Sequence, residues 1–327
     1  MIQKHSLHAL LLLGFVASSV VAADAPLTKP AAKDPNVVPP AAMTPTHADV
    51  RYGPHERQVM DVYLAKSDKP TPLLFFIHGG GWTHGDKHSM NPRTYLAAGV
   101  SVVSINYRYT SQAGDVKPPV KAPLDDAARA LQFVRSKAKE WNLDKERVCA
   151  SGGSAGACSS LWLAFHDDMA DPGSSDPVAH ESTRLWCAAV MSPQTTLDPR
   201  QMKEWTPNSK YGGHAFGFNA DPKKKTSQFD EFLAGRDKIL PWIAEYSPYA
   251  LVTKDDPPIY MAFSDPPALG QDQKDPTHTA NFGVKLQERC QEMGVQCELV
   301  YKGAPNVKHP RVEQYIIEKL NAPAAKD

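Results

Sequence analysis

The chain has 327 residues, and its 36 Lys and Arg balance 36 Asp and Glu, so its formal charge is zero. That balance leaves none of the basic footprint expected of a nucleic-acid binder. At 42% hydrophobic, the chain has the apolar content of a globular protein with a real core.

Residues 1–23 read as a secretory signal. Lys4 supplies a small positive start, Ala9 to Ala17 an apolar core broken only by Gly14, and Val21-Ala22-Ala23 and Ala23-Asp24-Ala25 both offer small residues for cleavage. Ala9 to Ala23 is short for a membrane span of about 20 residues. No cysteine sits at the cleavage site to carry a lipid. The expectation is therefore an exported protein, periplasmic or secreted, with no stable membrane insertion after cleavage. Residues 24–45 hold Pro26, Pro30, Pro35, Pro39, Pro40 and Pro45 among alanines, a composition suited to an extended tether. Residues 46–322 have the length of one large α/β domain.

Arg57 to Leu64 alternates apolar and polar side chains and predicts an exposed early strand. Pro72 to Ile77 is continuously apolar, as a strand buried on both faces should be. It runs into His78-Gly79-Gly80-Gly81-Trp82. Successive glycines are costly to order, so they need a reason. Backbone N–H groups free of side chains can converge on an oxyanion. Val100 to Asn106 predicts a second buried strand, and Leu124 to Ala138 has helical spacing with Asp125 and Asp126 in its first turn.

Next comes Ala150-Ser151-Gly152-Gly153-Ser154-Ala155-Gly156-Ala157, between an apolar run and a helix-like segment. Strand, tight turn and helix form the setting of a G-x-S-x-G nucleophile elbow. Gly152 and Gly156 leave room for the turn and for close packing of helix on strand. Leu185 to Met191 predicts another strand. The pattern then breaks: 193–256 is rich in Pro, Gly and aromatics and reads as a cap-like insertion, and Lys223-Lys224-Lys225 as a solvated loop. Pro257 to Phe263 is a core strand, Phe282 to Met293 a helix stopped by Gly294, Cys297 to Tyr301 the last strand and Val312 to Leu320 the closing helix. Alternation of strand and helix implies a mostly parallel sheet. Cys149, Cys158 and Cys187 read as core thiols. Cys290 and Cys297 flank a turn and could be joined in an oxidising compartment. Histidines and carboxylates lack metal-ligand spacing, and no cofactor is expected.

His78 to Trp82 together with Gly152 to Gly156 resembles the α/β-hydrolase fold, closest to the hormone-sensitive-lipase-like bacterial esterases. Thr83-His84-Gly85-Asp86-Lys87 resembles secreted carbohydrate-acyl esterases of that group. The resemblance covers roughly residues 50–320 and implies an α/β-hydrolase with helices on both faces of the sheet. It also implies an oxyanion hole from the N–H groups of Gly80, Gly81 and Ala155. Ser154 would be the nucleophile. In this fold the chain order is nucleophile, acid, histidine. His309 follows the last predicted strand and is expected as the base. The acid belongs between the strand near 258–263 and the helix beginning near 280, where Asp265, Asp272 and Asp275 all qualify. Counting back from Gly294 in the manner of family sequences favours Asp275. The family's H-G-x-x-D phrase is replaced here by Phe263-Ser264-Asp265-Pro266-Pro267. His278 precedes the last strand and is expected at a loop surface or pocket rim.

The expected activity is hydrolysis of small-molecule carboxylic esters, short-chain or carbohydrate and aryl acyl esters, through an acyl-enzyme. Two rivals stand beside it. One is an amide or peptide hydrolase using the same triad, and the other a binding protein on a hydrolase scaffold. The oligomeric state is not legible in the sequence.

Overall fold

The computed structural model describes residues 43–219 and 225–322. The signal segment, most of the expected tether, and Lys223 and Lys224 lie outside these residues, while Lys225 is exposed.

Eight strands form one sheet: β1 (His47–Arg51), β2 (Val59–Tyr63), β3 (Thr71–Ile77), β4 (Ser101–Ile105), β5 (Leu143–Gly153), β6 (Cys187–Met191), β7 (Ile259–Ala262) and β8 (Cys297–Val300). Their spatial order is β1-β2-β4-β3-β5-β6-β7-β8. β1 pairs antiparallel with β2, and β2 with β4; from β4 to β8 every pairing is parallel. The helices are α1 (Arg93–Ala97), α2 (Lys121–Ser136), α3 (Ala155–Phe165), α4 (Pro199–Trp205), α5 (Gln228–Ala234), α6 (Leu240–Tyr246), α7 (Pro248–Leu251), α8 (Ala280–Met293) and α9 (Val312–Asn321). Among the described residues no helix is long and apolar enough to cross a membrane.

Side-chain alternation sorts the core into two layers. On β3, Leu73, Phe75 and Ile77 point into the larger layer with Leu131 of α2, Leu161 of α3 and Phe282 of α8. Leu74 points the other way, towards Tyr95 of α1 and Tyr315, Ile316 and Leu320 of α9. A strand covered on both faces has no polar face, which is why β3 reads as continuous apolar sequence.

Two expectations change, and one possibility left open is answered. The strand predicted as exposed is β2, and it is interior: Met60, Asp61, Val62 and Tyr63 are buried because β1, not anticipated, covers its outer edge. The alternation there reflects Asp61, a buried carboxylate 2.9 Å from Lys87 Nζ. Helix α2 starts at Lys121, so Asp125 and Asp126 fall in its second turn. Asp126 is buried and grips Arg108 and Gln58 instead of serving the helix dipole. Cys290 and Cys297 are free thiols; their mutual hydrogen bond, with burial, pushes the Cys297 thiol well above its ordinary value.

The parallel registers align Ile77 with Gly152, Gly153 with Met191, Met191 with Ala262 and Ala262 with Val300. The carboxyl ends of β3, β5, β6 and β7 therefore share one edge of the sheet. The loops leaving that edge build the candidate site, where open α/β sheets place their ligands.

Candidate active site

Ser154 sits between β5 and α3 with φ 53° and ψ −122°. A non-glycine residue there stores on the order of 1–3 kcal/mol of backbone strain. The surroundings hold it in place. Its N–H donates to Met191 O at 3.0 Å, and its carbonyl accepts from Cys158 N–H at 2.9 Å. A Cβ on Gly152 or Gly156 would overlap the Ile77 carbonyl oxygen, so both flanking positions require glycine for close approach, not for φ.

The serine oxygen lies 2.9 Å from His278 Nε2. His278 Nδ1 lies 2.8 Å from Asp275 Oδ2. The other carboxylate oxygen, Asp275 Oδ1, accepts the N–H of Thr277 at 3.1 Å and of His278 at 3.3 Å. Partial burial raises the Asp275 carboxyl, but its bonds to the His278 ring and these backbone N–H groups outweigh that and hold it below the usual carboxylate range. Asp275 is thus ionised where it meets the ring. Asp265 and Asp272, the other two candidates, are exposed, and the carboxylate on the His278 ring is that of Asp275.

The loop carrying this pair is pinned. Gln194, fully buried beyond β6, donates from Nε2 to Thr277 O at 2.7 Å. Thr279 caps α8, accepting from Asn281 N–H at 3.2 Å. The buried Asn281 donates to Trp205 O at 2.8 Å and accepts from Ala268 N–H at 2.7 Å. A capped helix start places His278 two residues before α8, next to the cap, with its ring free to face Ser154.

His309 does not join them, which corrects its expected role as the base. The segment after β8 doubles back, and His309 shares a cleft with Ile259, Gln296, Cys297 and Tyr315, near the starts of β7 and β8. That is the opposite edge of the sheet from Ser154. Its ring is buried; Nδ1 meets Glu298 Oε2 at 2.7 Å and Nε2 meets Glu318 Oε2 at 2.8 Å. With both ring nitrogens held by carboxylates, none is left for a serine.

The His78–Gly85 loop leaves β3 beside the elbow. Gly80 has φ 101°, and a Cβ there would overlap the His84 carbonyl. Gly80 O accepts from Thr83 N–H at 3.0 Å and from His84 N–H at 3.1 Å, closing a tight turn. Among the described residues the Gly80 and Gly81 N–H groups donate to no acceptor. The Ala155 N–H opens α3, where helix geometry leaves it without an intrahelical partner. Beneath the loop, Tyr107 Oη donates to His78 O at 2.8 Å, and the Tyr107 ring stacks on His78 at 4.2 Å. Burial draws the His78 pKa down to about 4, against the raising effect of its bond to Gly79 O. Trp82, fully buried, donates to Ser159 Oγ at 3.0 Å and ties the loop to α3.

Sequence reasoning missed His278, Gln194 and Asn281. Only His278 carried a signal: it stands three residues after Asp275, within a single turn.

The comparisons bear on the family and the fold. The sequence matches the BD-FAE family over residues 60–269, more than half of the chain. It is 31% identical over 126 residues to a versiconal hemiacetal acetate esterase of Dothistroma septosporum, covering 36% of each. The chain spans about a third of the length of the curated relatives it matches. Among solved structures, an acetyl ester-xyloside bifunctional hydrolase from Caldicellulosiruptor lactoaceticus superposes with TM-score 0.56 at 24% identity, covering 74% of this chain and 76% of that one. A truncated carbohydrate esterase from gut microbiota gives TM-score 0.63 at 18% identity, covering 87% and 99%. At those identities the two structures speak to fold alone. Sheet order, elbow, glycine loop and family match converge: this chain belongs to the BD-FAE family of α/β-hydrolase esterases.

Proposed function

We propose that the protein hydrolyses carboxylic esters through Ser154, His278 and Asp275. The observation that carries this reading is the continuous chain of contacts from Ser154 Oγ to His278 at 2.9 Å and on to Asp275 at 2.8 Å. A serine hydroxyl is a weak nucleophile until a base takes its proton. His278 Nε2 accepts that proton as Ser154 Oγ attacks the ester carbonyl, and the ionised Asp275 stabilises the imidazolium that forms. The N–H groups of Gly80, Gly81 and Ala155 receive the oxyanion; one such donor is typically worth about 3 kcal/mol. His278 then returns the proton to the departing alcohol. Water, deprotonated by the same ring, releases the acid.

The substrates proposed are short-chain, carbohydrate or aryl acyl esters of an exported enzyme. The names of the relatives and the resemblance of the Thr83–Lys87 segment support that range. The test is turnover of p-nitrophenyl acetate, acetylated sugars, feruloyl esters and aminoacyl amides by the parent and by Ser154→Ala. Ester turnover should fall on the order of 10⁴-fold or more in the variant. Parental rates in Ser154→Ala remove the mechanism; faster amide than ester cleavage removes the substrate class.

A further inference from the structure

Among the described residues, the 193–256 segment reaches the glycine loop through one hydrogen bond. His214 Nε2 stands 2.7 Å from the Gly81 carbonyl oxygen. A carbonyl only accepts, so Nε2 carries the proton of that bond. Burial lowers the pKa of the His214 ring, keeping it neutral. Two aromatic rings neighbour it: Tyr211 meets it edge-on at 5.1 Å, and Trp82 lies 6.2 Å away. Tyr211 Oη is itself buried, has no hydrogen-bond partner, and sits 3.6 Å from where a Cβ of Gly81 would be. Gly212, with φ 105°, makes the bend that turns both rings onto the loop.

Gly81 has φ 61° and no side chain, so little in its own sequence fixes the plane of its peptides. An oxyanion donor works only when aimed beforehand, because the reaction leaves no time or energy for reorganisation. Holding the Gly81 carbonyl outward fixes the plane of the Gly81–Trp82 peptide and, through the shared Cα, restrains the preceding N–H.

We infer that His214 is a positioning residue for the oxyanion loop: its hydrogen bond to Gly81 O keeps the Gly81 N–H aimed at the developing negative charge. The inference rests on the proposed Ser154 chemistry. It gives the insertion a task in transition-state stabilisation.

Two amide replacements separate orientation from bulk. The amide nitrogen of Gln can occupy the place of Nε2, whereas that of Asn is too short to reach Gly81 O. With p-nitrophenyl acetate, His214→Asn should lose roughly 10-fold or more in kcat, a fraction of what deleting a donor costs, with KM little changed. A trifluoromethyl ketone, which becomes an oxyanion on Ser154, should bind more weakly by a similar factor. His214→Gln should recover both values to within about threefold. Melting temperatures show whether each variant is folded, and His214→Leu offers a second loss variant if the Asn protein is not. Equal ketone affinity in the folded Asn and Gln variants overturns the inference. Ser154→Ala run alongside keeps the failures apart: if it is inactive while the His214 variants match the parent, only the role of His214 falls.

Discussion

Two loops of this protein each present a histidine to carboxylates, and only one of them faces a serine. In the loop after β7, His278 spends one nitrogen on Asp275 and turns the other to Ser154. In the segment after β8, His309 meets Glu298 with one nitrogen and Glu318 with the other. Proximity to a carboxylate is thus common to both. A general base is distinguished by the second nitrogen, which must stay available to the nucleophile. The other histidine is a clamp joining β8 to α9.

The largest expected effect tests that difference directly. His278→Gln should lower kcat for p-nitrophenyl acetate on the order of 10⁶-fold, as removal of a base from an interdependent triad does. His309→Gln should leave kcat per folded molecule unchanged while lowering the melting temperature, since it takes from Glu298 and Glu318 the ring they share. The pair of variants exchanges outcomes if the roles are reversed. Asp275→Asn should cost roughly 10⁴-fold, because the imidazole loses both its tautomer and its counter-charge. Asp265→Asn and Asp272→Asn, both at exposed positions, should remain within about twofold of the parent. A large loss in either would move the acid away from Asp275.

These variants also mark where the sequence stops being informative. The elbow and the glycine loop were legible because their constraint is local. Gly152 and Gly156 must lack Cβ to pass Ile77 O, and that requirement is written in the residues themselves. Buried parallel strands were equally plain, since covering both faces of β3 leaves only apolar side chains. The base was not. Chain order placed it after the last strand, but nothing local to 301–311 says that this segment folds back towards Cys297 and not towards Ser154. The partners that capture His309 lie 11 and 9 residues away, on different elements. Likewise β2 looked exposed because Asp61 breaks its apolar run, and its partner Lys87 arrives from 26 residues downstream. The family match stops at residue 269, before both Asp275 and His278.

Acid separates the two edges of the sheet by a different route. At the site edge, burial lowers the His78 pKa to about 4, below the ordinary 6.5. Above pH 6.5 the ring is neutral in folded and unfolded chains alike, and this contribution to stability is complete. As pH falls from 6.5 towards about 4 the unfolded chain takes up a proton that the buried ring refuses, and stability declines. Over the whole window the loss amounts to about 3 kcal/mol. Thermal unfolding followed between pH 7 and 4 should show this slope, and His78→Asn, which cannot titrate, should flatten it. An unchanged slope in the Asn variant would falsify the assignment to His78.

The smallest effect belongs to the clamp. Lys308 and His309 hold the Glu318 carboxyl down to about 2, from an ordinary 4.5. The sign is that of a depressed acid. Its stabilising contribution is complete above pH 4.5, fades as pH falls, and is gone below about 2. Because the side chain is half exposed, at 51%, water screens the pair, and Glu318→Gln should lower the melting temperature less than His309→Gln does. The gap between parent and Glu318→Gln should also narrow as the pH is taken from 4.5 towards about 2, where the parent comes to carry the same neutral group. At neutral pH, kcat for ester substrates should be the same in the parent and in Glu318→Gln. A variant that lost activity in proportion to stability would couple α9 to Ser154 across the sheet, and the separation of clamp from catalyst would fail.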